Sequence, residues 1–231
     1  MNEVLRQEKK YLITEADGQK LCGLLSRVMT EDPHNGPLGY RIRSLYFDTP
    51  DERDYYDKIE GILLRRKIRL RIYEPGASSA KLEIKQKEGQ YQKKRSMSVK
   101  REDAECLIAG DYSVLQKYRE PFAAECYGLL HGFCYRPKTV VEYRRKAYIA
   151  KENKIRVTID HQIIATESCW DLFSPKLNMY PVLDPFNAVL EVKYNGFLLS
   201  YIKSLVNSID RSETTVSKYC LARGAGLGFR L

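Results

Sequence analysis

Arg65, Lys67, Arg69, Arg71 and Tyr73 alternate with Leu64, Ile68, Leu70 and Ile72, and Arg66 is the one intruder. Successive side chains of a strand point to opposite faces, so this segment reads as a strand with a cationic face and an apolar face. The pattern recurs with Lys81, Glu83, Lys85 and Lys87 against Leu82 and Ile84, and with Lys154, Arg156, Thr158 and Asp160 against Ile155, Val157 and Ile159. Glu191 and Lys193 repeat it against Leu190 and Val192. Shorter versions run through Arg6, Glu8 and Lys10, through Tyr91, Lys93 and Arg95, and through Tyr143 and Arg145. Arg offers phosphate a planar fork of donors and Lys a compact charge, so such faces suit a chain of phosphates. Glu8, Glu83 and Glu191 would repel a bare polyanion. They serve either as salt-bridge partners of their cationic neighbours or as ligands of Mn2+ or Mg2+, hard ions that bridge carboxylate and phosphate oxygens. Phosphoryl transfer needs positioning, neutralisation and a metal, and no His or Cys nucleophile.

One strand of this kind is an ordinary exposed sheet face. Several of them would set cations opposite cations on neighbouring strands, which repel unless an anion lies between them. The expected fold is therefore α+β: a closed antiparallel β-barrel with a charged lumen, its apolar outside covered by helices. Helices are expected at Thr14 to Met29, Pro50 to Lys58, from Arg101 to a stop at Gly110, and over Ser113 to Phe133 with a break at Pro121. Two more are expected at Phe197 to Ile209 and Thr214 to Arg223. Trp170 to Pro185, with three prolines, reads as a long excursion.

The chain has 231 residues and a net charge of +9, from 39 Lys+Arg against 30 Asp+Glu, and 43% of its residues are apolar. That composition excludes a disordered, collagenous or disulfide-scaffold protein. No linker or repeat divides it, and residues 1–231 read as a single domain. The six cysteines form no Cys-x-x-Cys pair and read as buried, reduced thiols, and three scattered histidines give no support to a zinc site or a Ser-His-Asp triad. No apolar run approaches the ~20 residues of a membrane span. The charged N-terminus has no signal-peptide core, so the expected location is cytoplasmic. The charge surplus calls for a polyanionic partner. Nucleic acid is not expected, because a nucleic-acid groove has little use for lining acids. Tyr11, Tyr55, Tyr56 and Tyr201 also fall in core-like patterns rather than in an exposed aromatic-basic array.

Arg69-Leu70-Arg71, Lys81-Leu82-Glu83-Ile84-Lys85, Tyr143-Arg144-Arg145, Ile155-Arg156-Val157, Leu190-Glu191-Val192-Lys193 and Ser217-Lys218-Tyr219 occur in the order seen in VTC domains, and the chain resembles that family. These domains are the polyphosphate-polymerase modules of the triphosphate tunnel metalloenzyme superfamily, and the resemblance is to their stand-alone bacterial type. Ser44-Leu45-Tyr46-Phe47-Asp48-Thr49 is also similar to the family's second-strand segment. The resemblance implies a tunnel that moves the terminal phosphate of ATP onto inorganic polyphosphate with a divalent metal. It implies that Lys10, Arg69, Arg71, Lys85, Arg145 and Arg156 grip phosphates, that Glu191 is the principal metal ligand, and that Tyr143, Ser217 and Lys218 contact the triphosphate or the product. Strand parity adds Lys67, Lys87 and Lys193 to the phosphate-binding set, and Glu8 and Glu83 to the acids. The related CYTH branch, of thiamine triphosphatases and class IV adenylyl cyclases, opens with Glu-x-Glu-x-Lys. Here the run is Arg6-Gln7-Glu8-Lys9-Lys10, and the replaced acid favours the VTC branch. Eukaryotic relatives attach a sensor domain and membrane helices, which leaves room for a membrane-protein partner. Two alternatives share the same cradle: a tripolyphosphate or nucleoside triphosphate hydrolase, and a non-catalytic polyphosphate binder.

Overall fold

Alternating sequence becomes strand and capped sequence becomes helix in the computed structural model, which describes residues 6–89, 91–215 and 217–227. The elements are β1 (Arg6–Thr14), α1 (Glu15–Leu25), β2 (Thr30–Glu31), β3 (Tyr40–Asp48), α2 (Arg53–Ile59), β4 (Leu64–Ile72), β5 (Ser79–Glu88) and β6 (Tyr91–Lys100). There follow α3 (Arg101–Ala109), α4 (Pro121–Gly132), β7 (Arg136–Ala150), β8 (Ile155–Thr166), β9 (Tyr180–Pro181), β10 (Asn187–Asn195), α5 (Ser200–Asn207), β11 (Ser212–Glu213) and α6 (Lys218–Gly226). This is a mixed α+β fold with a large antiparallel sheet.

Helices α1, α2, α5 and α6 are shorter than their expected spans, while the caps at Thr14 and Gly110 fall where the sequence indicated. Thr14 caps α1 by accepting the Asp17 amide at 3.0 Å. Gly110, at φ +92°, stops α3. Pro121 does not interrupt a longer helix. It occupies the first turn of α4, where its missing N–H costs nothing, and a 3-10 turn at Tyr112–Lys117 precedes it. The final helix begins at Lys218 rather than Thr214.

The chain clusters into two compact units, each assembled from three segments, so no single cut separates them. The first comprises residues 1–41, 143–164 and 181–217, and the second residues 42–142, 165–180 and 218–231. In the first, the strand order is β11-β1-β10-β8-β7, and α1 and α5 cover Tyr11, Ile13, Ile155, Val157, Ile159, Leu190 and Val192. In the second, the order is β7-β3-β4-β5-β6, and α3, α4 and the 3-10 turn cover Ile68, Leu70, Ile72, Leu82, Ile84, Met97 and Val99. The apolar parity of the sequence is thus the helix-covered face, as expected. The barrel closure is not borne out by hydrogen bonds. Both strand orders have open ends, and β11 offers only Ser212 and Glu213 for further pairing.

Three smaller expectations are corrected. Cys134 and Cys169 are exposed rather than buried. Tyr56 and Tyr201 are exposed, whereas Tyr11 and Tyr55 are in the core. Arg95 does not share the charged face of β6. It pairs with Ile84 in register, which turns it to the helix side and onto Glu125 of α4, so Lys94 faces the cations instead.

Candidate functional site

In the first unit, the charged parity of β1, β10 and β8 converges on Glu191. Register sets Glu8 opposite Lys193, Lys10 opposite Glu191, and Glu191 opposite Thr158. Lys193 Nζ lies 3.1 Å from the Glu191 carboxylate and 3.9 Å from Glu8, and Lys10 Nζ lies 3.3 Å from Glu8 and 3.9 Å from Glu191. Arg145 donates to both oxygens of fully buried Asp160, at 2.6 and 2.7 Å, and reaches Glu191 at 3.5 Å. Its guanidinium also sits 5.4 Å from the centre of the Tyr143 ring. Burial would raise the Glu191 carboxyl, but Lys193, the contact with Glu8, Lys10 and Arg145 overcome it and hold the group well below the usual carboxylate range. Further along, Arg156 donates to Asp32 at 2.9 Å and to the Tyr40 hydroxyl at 3.0 Å.

The backbone of Arg145 is fixed as firmly as its side chain. Gly39 adopts φ +76°, and a Cβ there would stand 2.3 Å from the Arg145 carbonyl oxygen, so no other residue fits.

The second unit carries the long cationic face. Between β4 and β5, Arg65 is opposite Lys87, Lys67 opposite Lys85, and Arg71 opposite Lys81, and Lys85 in turn faces Lys94 of β6. Glu83 is the carboxylate in this array. Arg69 donates to it twice at 2.7 Å, Lys94 Nζ lies 2.6 Å away, and Arg71 is 3.8 Å away. Burial raises the Glu83 carboxyl, and Arg69, Arg71 and Lys94 together outweigh that and bring it down to about 2.

Arg69 is also tied to the last helix. It donates to the Tyr46 hydroxyl at 3.0 Å, the Tyr46 ring stacks on Tyr219 with centroids 5.2 Å apart, and the Tyr219 hydroxyl donates to Asp48 at 2.5 Å. Asp48 is wholly buried and also accepts the amides of Thr49, Asp54 and Tyr55, which fixes the start of α2. Burial and the Asp48 charge raise the Tyr219 phenol far above its ordinary range, so it remains a donor. Tyr219 directly follows Ser217 and Lys218, which stand at the start of α6.

The structure thus brings Lys10, Glu8, Glu191, Lys193, Arg145 and Tyr143 into one cluster, and Lys67, Arg69, Arg71, Glu83, Lys85 and Lys87 onto one face. Arg156 lies on the Glu191 face but is engaged by Asp32, and the Arg6 side chain lies outside the described residues. Asp160, Asp32, Tyr40, Lys94, Tyr46, Asp48 and Tyr219 are additional members that sequence spacing did not single out as site residues. Asp160 shares parity with Arg156, and Tyr46 and Asp48 lie within the quoted second-strand segment, so a signal for these was present.

Among the described residues there is no group of three or more His, Cys, Asp and Glu side chains suited to a metal. A divalent ion is, however, commonly held by one or two carboxylates with substrate phosphates completing its shell. Glu8 and Glu191 meet that requirement, and the Thr158 hydroxyl opposite Glu191 is buried without a hydrogen-bond partner, which adds a hard oxygen. Glu83 is held more tightly: Arg69 and Lys94 engage its two oxygens at 2.7 and 2.6 Å, whereas the cations around Glu191 stand 3.1 to 3.9 Å away.

No curated protein matches the chain in sequence. In three dimensions it is similar to a putative adenylyl cyclase from Hippeastrum with a dominant triphosphatase activity, at 13% identity and a TM-score of 0.55, over 94% of this chain and 95% of that one. It is likewise similar to a putative adenylate cyclase from Bacillus halodurans, at 12% identity and a TM-score of 0.52, over 94% and 97%. At these identities the likeness is one of fold. The VTC domain model matches residues 5–225, almost the whole of the 231 residues, and the chain belongs to the VTC domain family.

Proposed function

We propose that the protein is a metal-dependent phosphotransferase that moves the terminal phosphate of ATP onto a growing inorganic polyphosphate chain. One observation carries this reading: the cation-on-cation pairing Arg65/Lys87, Lys67/Lys85 and Arg71/Lys81 along β4 and β5. Like charges directly opposed are unfavourable in a sheet unless an anion accompanies them. The row from Arg65 to Arg71 spans about 20 Å, longer than the three phosphates of a nucleotide. A repeating polyanion is the ligand that relieves every pair at once.

In this reading Arg69, Arg71, Lys67, Lys85 and Lys87 grip phosphates along the β4–β5 face, with Glu83 as the counter-ion that keeps Arg69 extended. Lys10, Lys193, Arg145 and Arg156 grip phosphates beside Glu191, Tyr143 backs Arg145, and Ser217 and Lys218 contact triphosphate or product. Glu8 and Glu191 hold Mn2+ or Mg2+. When bound, the ion neutralises charge on the transferred phosphoryl group and its neighbours. The protein's own part is then to fix the phosphates in line and to keep Glu191 ionised, which its cationic neighbours do.

The competing reading is hydrolysis, with water in place of the chain end, and the triphosphatase activity of the Hippeastrum protein of the same fold gives it support. Purified protein with ATP and Mn2+, resolved on a polyphosphate gel, decides between them. Long chains are expected; free phosphate without chains would assign the protein as a hydrolase, and neither product would leave a binder.

A further inference from the structure

Beyond Arg71 the cationic face ends in a pocket of about 180 Å³, walled by Arg71, Tyr73, Ala77, Ser79, Lys81 and Ser98, with Glu74 at its side. We infer that this pocket seats the purine base of the donor nucleotide, stacked on Tyr73; the inference rests on the phosphotransferase reading above.

Tyr73 follows Arg71 with the same strand parity, at the point where β4 ends, and it is 46% exposed. An aromatic ring at the end of a phosphate-binding row is of no use to inorganic polyphosphate, which has nothing to stack, but it suits a base, which has a π-face. Ala77 keeps the pocket open with a minimal side chain. The volume falls short of the ~300 Å³ at which pockets for whole small-molecule ligands begin, so it fits one planar ring system, with the rest of the ligand running out along the face. The polar groups agree with that orientation. Arg71 is buried, yet its contacts are long, 3.4 Å to the Ser44 hydroxyl and 3.8 Å to Glu83, whereas Arg69 beside it binds Glu83 at 2.7 Å. Arg71 and its opposite neighbour Lys81 therefore offer a phosphate group donors that Arg69 has already committed. Glu74 would repel phosphate, but as an acceptor it matches the exocyclic amine of a purine.

The test is calorimetric binding of a non-hydrolysable ATP analogue and of inorganic tripolyphosphate to the full chain, with Tyr73→Ala, Tyr73→Phe and Ser98→Trp. Loss of base stacking is expected to weaken the ATP analogue by about 10- to 100-fold in Tyr73→Ala, with tripolyphosphate within twofold of wild type. Tyr73→Phe should restore the affinity, and Ser98→Trp, which fills the pocket from the exposed strand β6, should reproduce the loss. Equal weakening of both ligands, or no change in either, would overturn the seat while leaving the phosphotransferase reading intact. Wild-type protein that binds neither ligand would overturn that reading, and the seat with it.

Discussion

Glu191 and Glu83 are both buried carboxylates ringed by cations, and their surroundings differ in balance. Around Glu191, the acids Glu8 and Asp160 stand with it against Lys10, Lys193 and Arg145. Around Glu83, one acid faces Arg69, Arg71 and Lys94, with Lys67, Lys81, Lys85 and Lys87 on the same side of β4 and β5. The balanced cluster can exchange an ammonium for a metal ion without a large change in net charge. On the charged side of β4 and β5, cations outnumber the one acid, Glu83, and this surplus suits an anion. On the proposed reading, similar side chains thus suit one region to a metal and the other to phosphate.

Substitutions at the two acids separate these roles. Glu191→Gln should lower turnover of ATP by about 10²- to 10³-fold, the scale set by removing one preorganised charge from a reacting centre, as read from the rate of product formation. Glu83→Gln should act on stability instead. It leaves Arg69, Arg71 and Lys94 facing one another, at a cost of about 3–5 kcal/mol for breaking a buried charge network. Thermal unfolding should show this, and tripolyphosphate should raise the Tm of Glu83→Gln by more than that of wild type. Equal ligand-induced shifts would contradict the unbalanced-face account. Asp160→Asn removes the carboxylate charge that holds Arg145, and should cost about tenfold in kcat/KM, roughly 1.4 kcal/mol, with a smaller change in Tm.

The two regions were not equally legible in the sequence. The alternation in β4, β5, β8 and β10 is local, so the faces carrying Arg69, Lys85, Arg156 and Glu191 could be read residue by residue. Which acid meets which cation is a matter of pairing. The salt bridges of Glu191 with Lys10, and of Arg223 with Glu52 and Glu167, join residues far apart in the chain. The burial of Asp48 under Tyr219 is equally remote. In β6 the local pattern misled, because Lys93, Lys94 and Arg95 are consecutive cations and only the register with β5 decides that Lys94 faces Glu83. Pro121 was readable as a break but not as a beginning, since both follow from the same missing N–H.

Smaller effects sharpen the contrast further. Tyr219→Phe deletes one hydrogen bond to a buried carboxylate, and should cost about 1.5 kcal/mol in unfolding experiments on the chain. If that hydrogen bond also orients Tyr46 against Arg69, tripolyphosphate binding should weaken by a few-fold. The acid limb of the stability curve offers the mildest test, because the Glu83 contribution does not vary with pH near neutrality. Glu83 is held down to about 2 from an ordinary 4.5, so its contribution is complete above pH 4.5 and is lost as the pH falls through about 2. Glu83→Gln should therefore flatten that limb, as followed by circular dichroism.

The partnership of β1 with β10 has a consequence for synthesis. Lys10 meets Glu191 only after about 180 further residues have emerged, and among the described residues the long strand that pairs with Arg6–Thr14 is Asn187–Asn195. At ribosomal speeds of 5–20 residues per second, that strand waits roughly 10–40 s for its neighbour. Strands β4, β5 and β6 face no such delay, because they follow one another as adjacent hairpins and can pair as they appear.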